Sequence, residues 1–192
     1  MSGLSILILI ALGLGIVWVI IYFISIYNEL IHIRVNIDKS WANIEVLEKQ
    51  RYDELPKLIK VCEGYMKYER ETLEKVTLAR TKFLDAKTPN EFAKAGDDLS
   101  GALKTLFAVA ENYPELKANE NFMQLQNRIT YLESQIADRR EFYNESVTIY
   151  NVRIQQIPYV FIANMLKYEQ KEMYKVPAEE KVSPEIKFEF PK

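Results

Sequence analysis

The sequence predicts an all-α protein: one N-terminal transmembrane helix, then an antiparallel up-and-down bundle of about four long helices, kinked or broken near Pro56. Three observations carry this. Residues 4–26, "LSILILIALGLGIVWVIIYFISI", hold no charged side chain. From Tyr27 onward apolar residues recur at spacings of three and four, the stripe of an amphipathic helix. No run reads as strand, and glycine beyond the first segment is confined to Gly64, Gly96 and Gly101.

As helix, residues 4–26 extend roughly 34 Å, enough for the hydrocarbon core of a bilayer with some tilt. A cleaved signal peptide would need a basic leading region and a small-residue cleavage site, and neither is present. Trp18, Tyr22 and Tyr27 lie toward one end, where an aromatic belt belongs. Arg34, Lys39, Lys49 and Arg51 follow the span and nothing basic precedes it, so the positive-inside rule places the following domain in the cytoplasm.

The first stripe comprises Leu30, Ile33, Ile37, Trp41, Ile44 and Leu47, continuing through Leu55, Leu58, Cys62, Met66, Leu73, Val76 and Phe83. Pro56 interrupts it. A proline inside a helix leaves the carbonyl four residues back without its donor, at a cost of about 3 kcal/mol. In a first turn that donor is not needed, and Asp53 is a suitable N-cap. A chain reversal at 53–56 is expected, because otherwise nothing in the chain would cover residues 30–44. Thr88, Pro89 and Glu91 then form a start signal of the capping-box type. The second stripe, Phe92 to Tyr113, stops at Pro114. Asn119 is a plausible cap for the most regular stretch: Phe122, Leu125, Ile129, Leu132, Ile136, Tyr143, Val147, Tyr150, Ile154 and Ile157 form a coiled-coil-like seam. Arg139 intrudes in that seam, either pairing with a carboxylate across the bundle or laying its stem on the seam and reaching outward. Pro158 ends the helix. The expected organisation is an anchor over 1–26, the bundle over 27–157, an apolar C-terminal helix over 158–174 that docks on the bundle or touches the membrane surface, and an extended, proline-containing tail over 175–192.

Composition removes several function classes. With 25 basic and 27 acidic residues, net charge −2, there is no field to draw nucleic acid. The single cysteine, Cys62, excludes a disulfide framework and Cys-rich metal sites, and its place on the stripe makes it a small buried hydrophobe. Glu29 and His32 have the Glu-x-x-His spacing of helical di-metal sites, but a second histidine does not exist. No phosphate-binding glycine loop occurs. No catalytic residue, metal or cofactor is expected. Twelve tyrosines are unusual, and Tyr143 and Tyr150 are read as core rings with hydroxyls toward the rim, in preference to a recognition surface.

The stretch "YNELIHIRVNIDKSWANIEVLEKQRYDELPKLIKVCEGYMKYERETLEKVTLAR", together with "LSGALKTLFAVAENYPELKANENFMQLQ" and "QIADRREFYNESVTIYN", resembles the LemA family from Tyr27 to about Ala163. The family phrases fall on Tyr27, Asn28, Arg34, Trp41 and Pro56, then on Gly64, Tyr65, Glu69, Leu73, Ala79 and Arg80. They continue on Leu99, Ala110, Glu111, Tyr113 and Pro114, on Phe122, Leu125 and Arg139, and on Tyr143, Asn144, Tyr150 and Asn151. Two departures stand out: Gln50 replaces or displaces an arginine, and "MLKYEQKEMY" replaces a glycine- and phenylalanine-rich end. The resemblance implies a small bacterial or archaeal membrane protein with one N-terminal span, a helical bundle and no established catalytic activity. It hints at a membrane peptidase as partner. The expected function is a membrane-anchored, non-enzymatic scaffold or adaptor that binds other membrane or envelope proteins. The alternative is a membrane-organising protein that forms homo-oligomers at the bilayer by sharing the stripe over 30–47.

Overall fold

The computed structural model describes residues 3–86 and 88–174; the tail expected over 175–192 lies outside the described residues. Every regular element among them is helical: α1 (Gly3–Glu63), α2 (Arg70–Asp85), α3 (Pro89–Ala110), α4 (Pro114–Lys117), α5 (Glu120–Arg153) and α6 (Tyr159–Met165). The first part of α1 is apolar and exposed around its circumference, including Leu7, Leu12, Ile16, Trp18 and Ile20. By length and composition this helix can cross a membrane.

The reversal expected at Pro56 does not occur. Pro56 sits inside α1, and the chain turns after Glu63, through Gly64–Glu69. The apolar phase explains this: Leu55, Leu58 and Cys62 are all fully buried, whereas Pro56 and Asp53 face solvent. A break at 53–56 would have taken three core side chains out of register. Burying each contributes about 1.5–3 kcal/mol, enough together to outweigh the proline's penalty. The turn itself is closed by the Tyr65 and Met66 amides donating to the Cys62 carbonyl at 3.0 and 2.8 Å, and by the Glu69 amide donating to the Met66 carbonyl at 3.1 Å. The premise that residues 30–44 would lie uncovered also falls, since Leu30, Ile37 and Ile44 are at most 1 % exposed within the chain.

The remaining boundaries have local causes. Thr88 caps α3: its hydroxyl accepts from the Glu91 amide, the Glu91 carboxylate accepts from the Thr88 amide, and Pro89 opens the helix. Pro114 does not merely stop the preceding stripe. It begins the single turn α4, whose Leu116 is buried, after α3 has ended at Ala110. Asn119 caps α5 through its side-chain oxygen, 3.1 Å from the Phe122 amide. α6 is short, and the chain from Leu166 onward leaves the helix.

Two compact units result. Among the described residues, the first combines 3–43 with 141–173 and the second combines 44–86 and 88–140 with Tyr174. The second holds a continuous apolar core drawn from the end of α1, from α2, α3 and α4, and from the start of α5, including Leu58, Met66, Val76, Leu103, Leu116 and Phe122. Phe83 extends it, edge-on to Phe92 at 4.6 Å and stacked on Tyr52 at 6.2 Å.

If α1 is continuous, Pro56→Ala should raise the thermal unfolding temperature in detergent, by restoring a donor to the Tyr52 carbonyl, with no loss of helical circular dichroism. A drop in stability would instead indicate that the proline favours a turn the helix does not contain.

Candidate functional site: a buried charge cluster and a clamped C-terminal segment

In the second unit α1 carries two charged side chains where the heptads of its apolar stripe require core. Leu30, Ile37, Ile44, Arg51 and Leu58 are seven apart, as are Trp41, Glu48, Leu55 and Cys62. Glu48 and Arg51 are each 1 % exposed. The Glu48 carboxylate accepts from Arg51 Nη2 at 2.6 Å through one oxygen and from Arg140 Nη2 at 3.1 Å through the other. Arg51 also donates to Ser100 Oγ at 2.8 Å, to Glu133 Oε1 at 3.3 Å and to the Gly96 carbonyl at 3.3 Å. Arg140 reaches Asp97 Oδ1 at 2.8 Å and lies 4.3 Å from the centre of the Tyr174 ring. Three carboxylates and two guanidiniums thus share one network across α1, α3 and α5.

The cluster demands a glycine. A Cβ at position 96 would lie 2.7 Å from Arg140 Nη2, so that head group would have to shift, and 3.1 Å from Glu48 Oε1, a tight contact. Burial works against the Arg140 charge, but Tyr174, Glu48 and Asp97 together outweigh it and hold the guanidinium above its usual range. Burial, reinforced by Glu48 and Asp97, likewise pushes the Tyr174 phenol up and keeps it neutral. Burial pushes the Cys62 thiol up to about 12. Among the described residues no group of three His, Cys, Asp or Glu side chains is placed to hold a metal ion. Each charged side chain in the cluster pairs with another member, an arrangement that fixes register between the helices.

In the first unit several of the family-motif residues converge on the segment after α6. Asn151 brackets Lys171: its Nδ2 donates to the Lys171 carbonyl and its Oδ1 accepts from the Lys171 amide, both at 2.9 Å. Tyr143 Oη donates to the Glu172 carbonyl at 3.2 Å. Lys171 Nζ pairs with Asp38 at 3.0 Å. Arg34 stands 5.3 Å from the centre of the Tyr168 ring, which tilts against Tyr150 at 6.2 Å. Trp41 meets Tyr143 edge-on at 5.4 Å. Tyr143 and Tyr150 are buried, as core rings with polar tips, and burial raises the phenol of each.

The other motif positions are structural or exposed. In the second unit Glu69 accepts from Tyr113 Oη at 3.0 Å, a bond that raises the phenol's pKa, and Tyr65 Oη accepts from Asn119 Nδ2 at 3.1 Å. Arg80 lies over the Tyr52 ring at 4.4 Å, Leu73 packs against the core and Phe122 is inside it. Glu111 pairs with Lys117. Tyr27, Asn28, Pro56, Gly64 and Pro114 are exposed, and Asn144 is half-buried. Arg139 is exposed too. The arginine that turns inward from α5 is its neighbour Arg140, because alternation from Ile136 to Tyr143 can step four then three as readily as three then four. His32 is exposed while Cys62 is buried.

The model of the LemA family matches residues 40–188. The chain is 33 % identical over 141 residues to Protein LemA of Metamycoplasma hominis, covering 70 % of this chain and 63 % of that protein. It is 29 % identical over 80 residues to Magnetosome protein MamQ 2 of Paramagnetospirillum magneticum and 28 % identical over 80 residues to Magnetosome protein MamQ of Magnetospirillum gryphiswaldense, in each case 42 % of this chain and 29 % of the relative. The chain therefore spans less than two thirds of the length of these relatives. It belongs to the LemA family.

Three measurements check the site. Glu48→Ala leaves two guanidiniums short of a buried partner and should cost about 3 kcal/mol in chemical denaturation. Gly96→Ala should cost about 1–3 kcal/mol, and distinctly less when Arg140 is already Met, because the clash is with the Arg140 head group. The buried Cys62 thiol should resist alkylation at pH 8 in the folded protein and react promptly in denaturant. With a folded pKa near 12 against an ordinary 9.0, its stabilising effect is complete below pH 9 and is lost as pH rises toward 12.

Proposed function

We propose, from the chain's membership of the LemA family, that it is a membrane-anchored scaffold that binds other envelope proteins and performs no chemistry of its own. The observation that carries this reading is α1: one helix, Gly3–Glu63, begins as a charge-free rod exposed on all sides and ends as part of a packed core. A helix apolar all round is at home in lipid, so residues 4–26 cross the bilayer and the helices beyond form an antiparallel bundle. Arg34, Lys39, Lys49 and Arg51 favour the cytoplasmic side.

A binding role draws support from α5, where Phe142, Ile149 and Val152 are each about half exposed and share one face through spacings of seven and three. A membrane peptidase or another envelope protein is the partner class this reading takes. The second reading, self-assembly at the bilayer, is favoured by likeness to proteins named for the magnetosome and by the small residues Ala11 and Gly15 on the span. A stripe over 30–47 shared between copies gives it less support, because Leu30, Ile37 and Ile44 are covered within the chain.

The test is the mass of the full-length protein in mild detergent, with cross-linking in cells, for the native chain and for Phe142→Glu/Ile149→Glu. A scaffold should be monomeric and should capture a specific membrane protein that the double variant loses. A large homo-oligomer would transfer the function to self-assembly, and a monomer with no specific partner would overturn the scaffold.

A further inference from the structure

We infer that α6 is a foot on the membrane surface: Ile157, Phe161 and Met165 seat in the boundary between headgroups and acyl chains of the bilayer that α1 crosses. The inference rests on the reading that residues 4–26 span that bilayer.

Its basis is where α6 is tied. The Tyr159 hydroxyl donates to the Glu29 carboxylate, and Arg153 pairs with the other oxygen of Glu29 at 2.8 Å. Glu29 is three residues past Ile26, the last residue of the apolar run, and is the first charged residue after it. At ~1.5 Å per residue it stands about 4.5 Å beyond the end of the apolar run. The headgroup layer is about 5–8 Å deep on each side of the hydrocarbon, so Glu29, and with it α6, lies inside that layer. The same contacts neutralise Glu29, which would otherwise oppose an apolar surface at this depth.

α6 is also two-faced. Ile162 and Ala163 are buried at 4 and 1 % exposure, while Phe161 and Met165, one turn apart, are 61 and 72 % exposed, and Ile157 just ahead of the helix is 79 % exposed. Three large apolar side chains left open beside a span meet lipid before any soluble molecule can reach them. The pattern is that of an interfacial helix, with Lys167, exposed just past its end, able to reach lipid phosphate. Tyr27, exposed at the base of the span, belongs to the same belt.

The experiment reconstitutes the full chain into vesicles of phosphatidylcholine and phosphatidylglycerol, with a bimane probe on a single introduced cysteine: Met165→Cys, Leu12→Cys in the span, or Tyr68→Cys, which is 95 % exposed. Cys62 is buried and stays unlabelled. The expected result is several-fold weaker quenching by aqueous iodide at position 165 than at 68, with strong quenching at 165 by lipids carrying a shallow nitroxide and at 12 by lipids carrying one deep in the acyl chain. Adding Phe161→Asp should return iodide access to position 165. Iodide access at 165 equal to that at 68, with position 12 still quenched by lipid, overturns the foot and leaves the anchor. Shielding from both quenchers assigns the patch to a protein contact and overturns the lipid assignment. Position 12 escaping lipid quenching overturns the anchor, and the foot with it.

Discussion

A carboxylate removed from water must be shared, and the interior of the second unit is arranged around that requirement. Glu48 has two oxygens and gives one to Arg51 and the other to Arg140. Each guanidinium then has donors to spare, which go to Ser100, Glu133 and the Gly96 carbonyl on one side and to Asp97 on the other. Such a network adds little net stability compared with a hydrocarbon core of the same shape, because desolvation offsets attraction. What it does is make sliding costly: a helix displaced by one turn strands a buried charge. The apolar residues around it, which tolerate many arrangements, are thereby held to one.

This constraint also marks the limit of reading the chain by hydrophobicity. The capping box at Thr88 and the Asn119 cap were legible because their partners lie within three residues, and the charge-free N-terminal run was legible because composition alone defines it. The reversal at Pro56 follows only if residues 30–44 would otherwise lie uncovered, and that Leu30, Ile37 and Ile44 are covered is a property of the folded chain that no local pattern expresses. The cluster is hidden from hydrophobic periodicity because Glu48 and Arg51 break the apolar pattern. A signal did exist: both stand on uninterrupted seven-residue rows with core residues. A charged pair three apart, each replacing a core position, is a sequence-level sign of buried ion pairing. Choosing Arg140 over Arg139 needed the positions of Glu48 and Asp97, which only the folded chain supplies.

Membership of the family gains physical content in the same way. Tyr143, Tyr150, Asn151, Trp41 and Arg34 seat the chain after α6, while Glu69, Tyr65 and Tyr113 secure the turn that follows α1. The motif is thus a set of joints. This accounts for its mixture of aromatic and amide residues, since a joint needs a shape that packs and a tip that bonds.

One of those joints grips main chain rather than side chain. Asn151 holds the amide and carbonyl of Lys171, and Tyr143 holds the carbonyl of Glu172. A grip of that kind is blind to spelling: nearly any residue offers the same two backbone groups. At Lys171 and Glu172 the backbone is held whatever side chain stands there, whereas the Tyr168 and Tyr174 rings are engaged by Arg34, Tyr150 and Arg140. The strap therefore divides into positions that carry identity and positions that carry only main chain, and substitutions should be tolerated at the second kind.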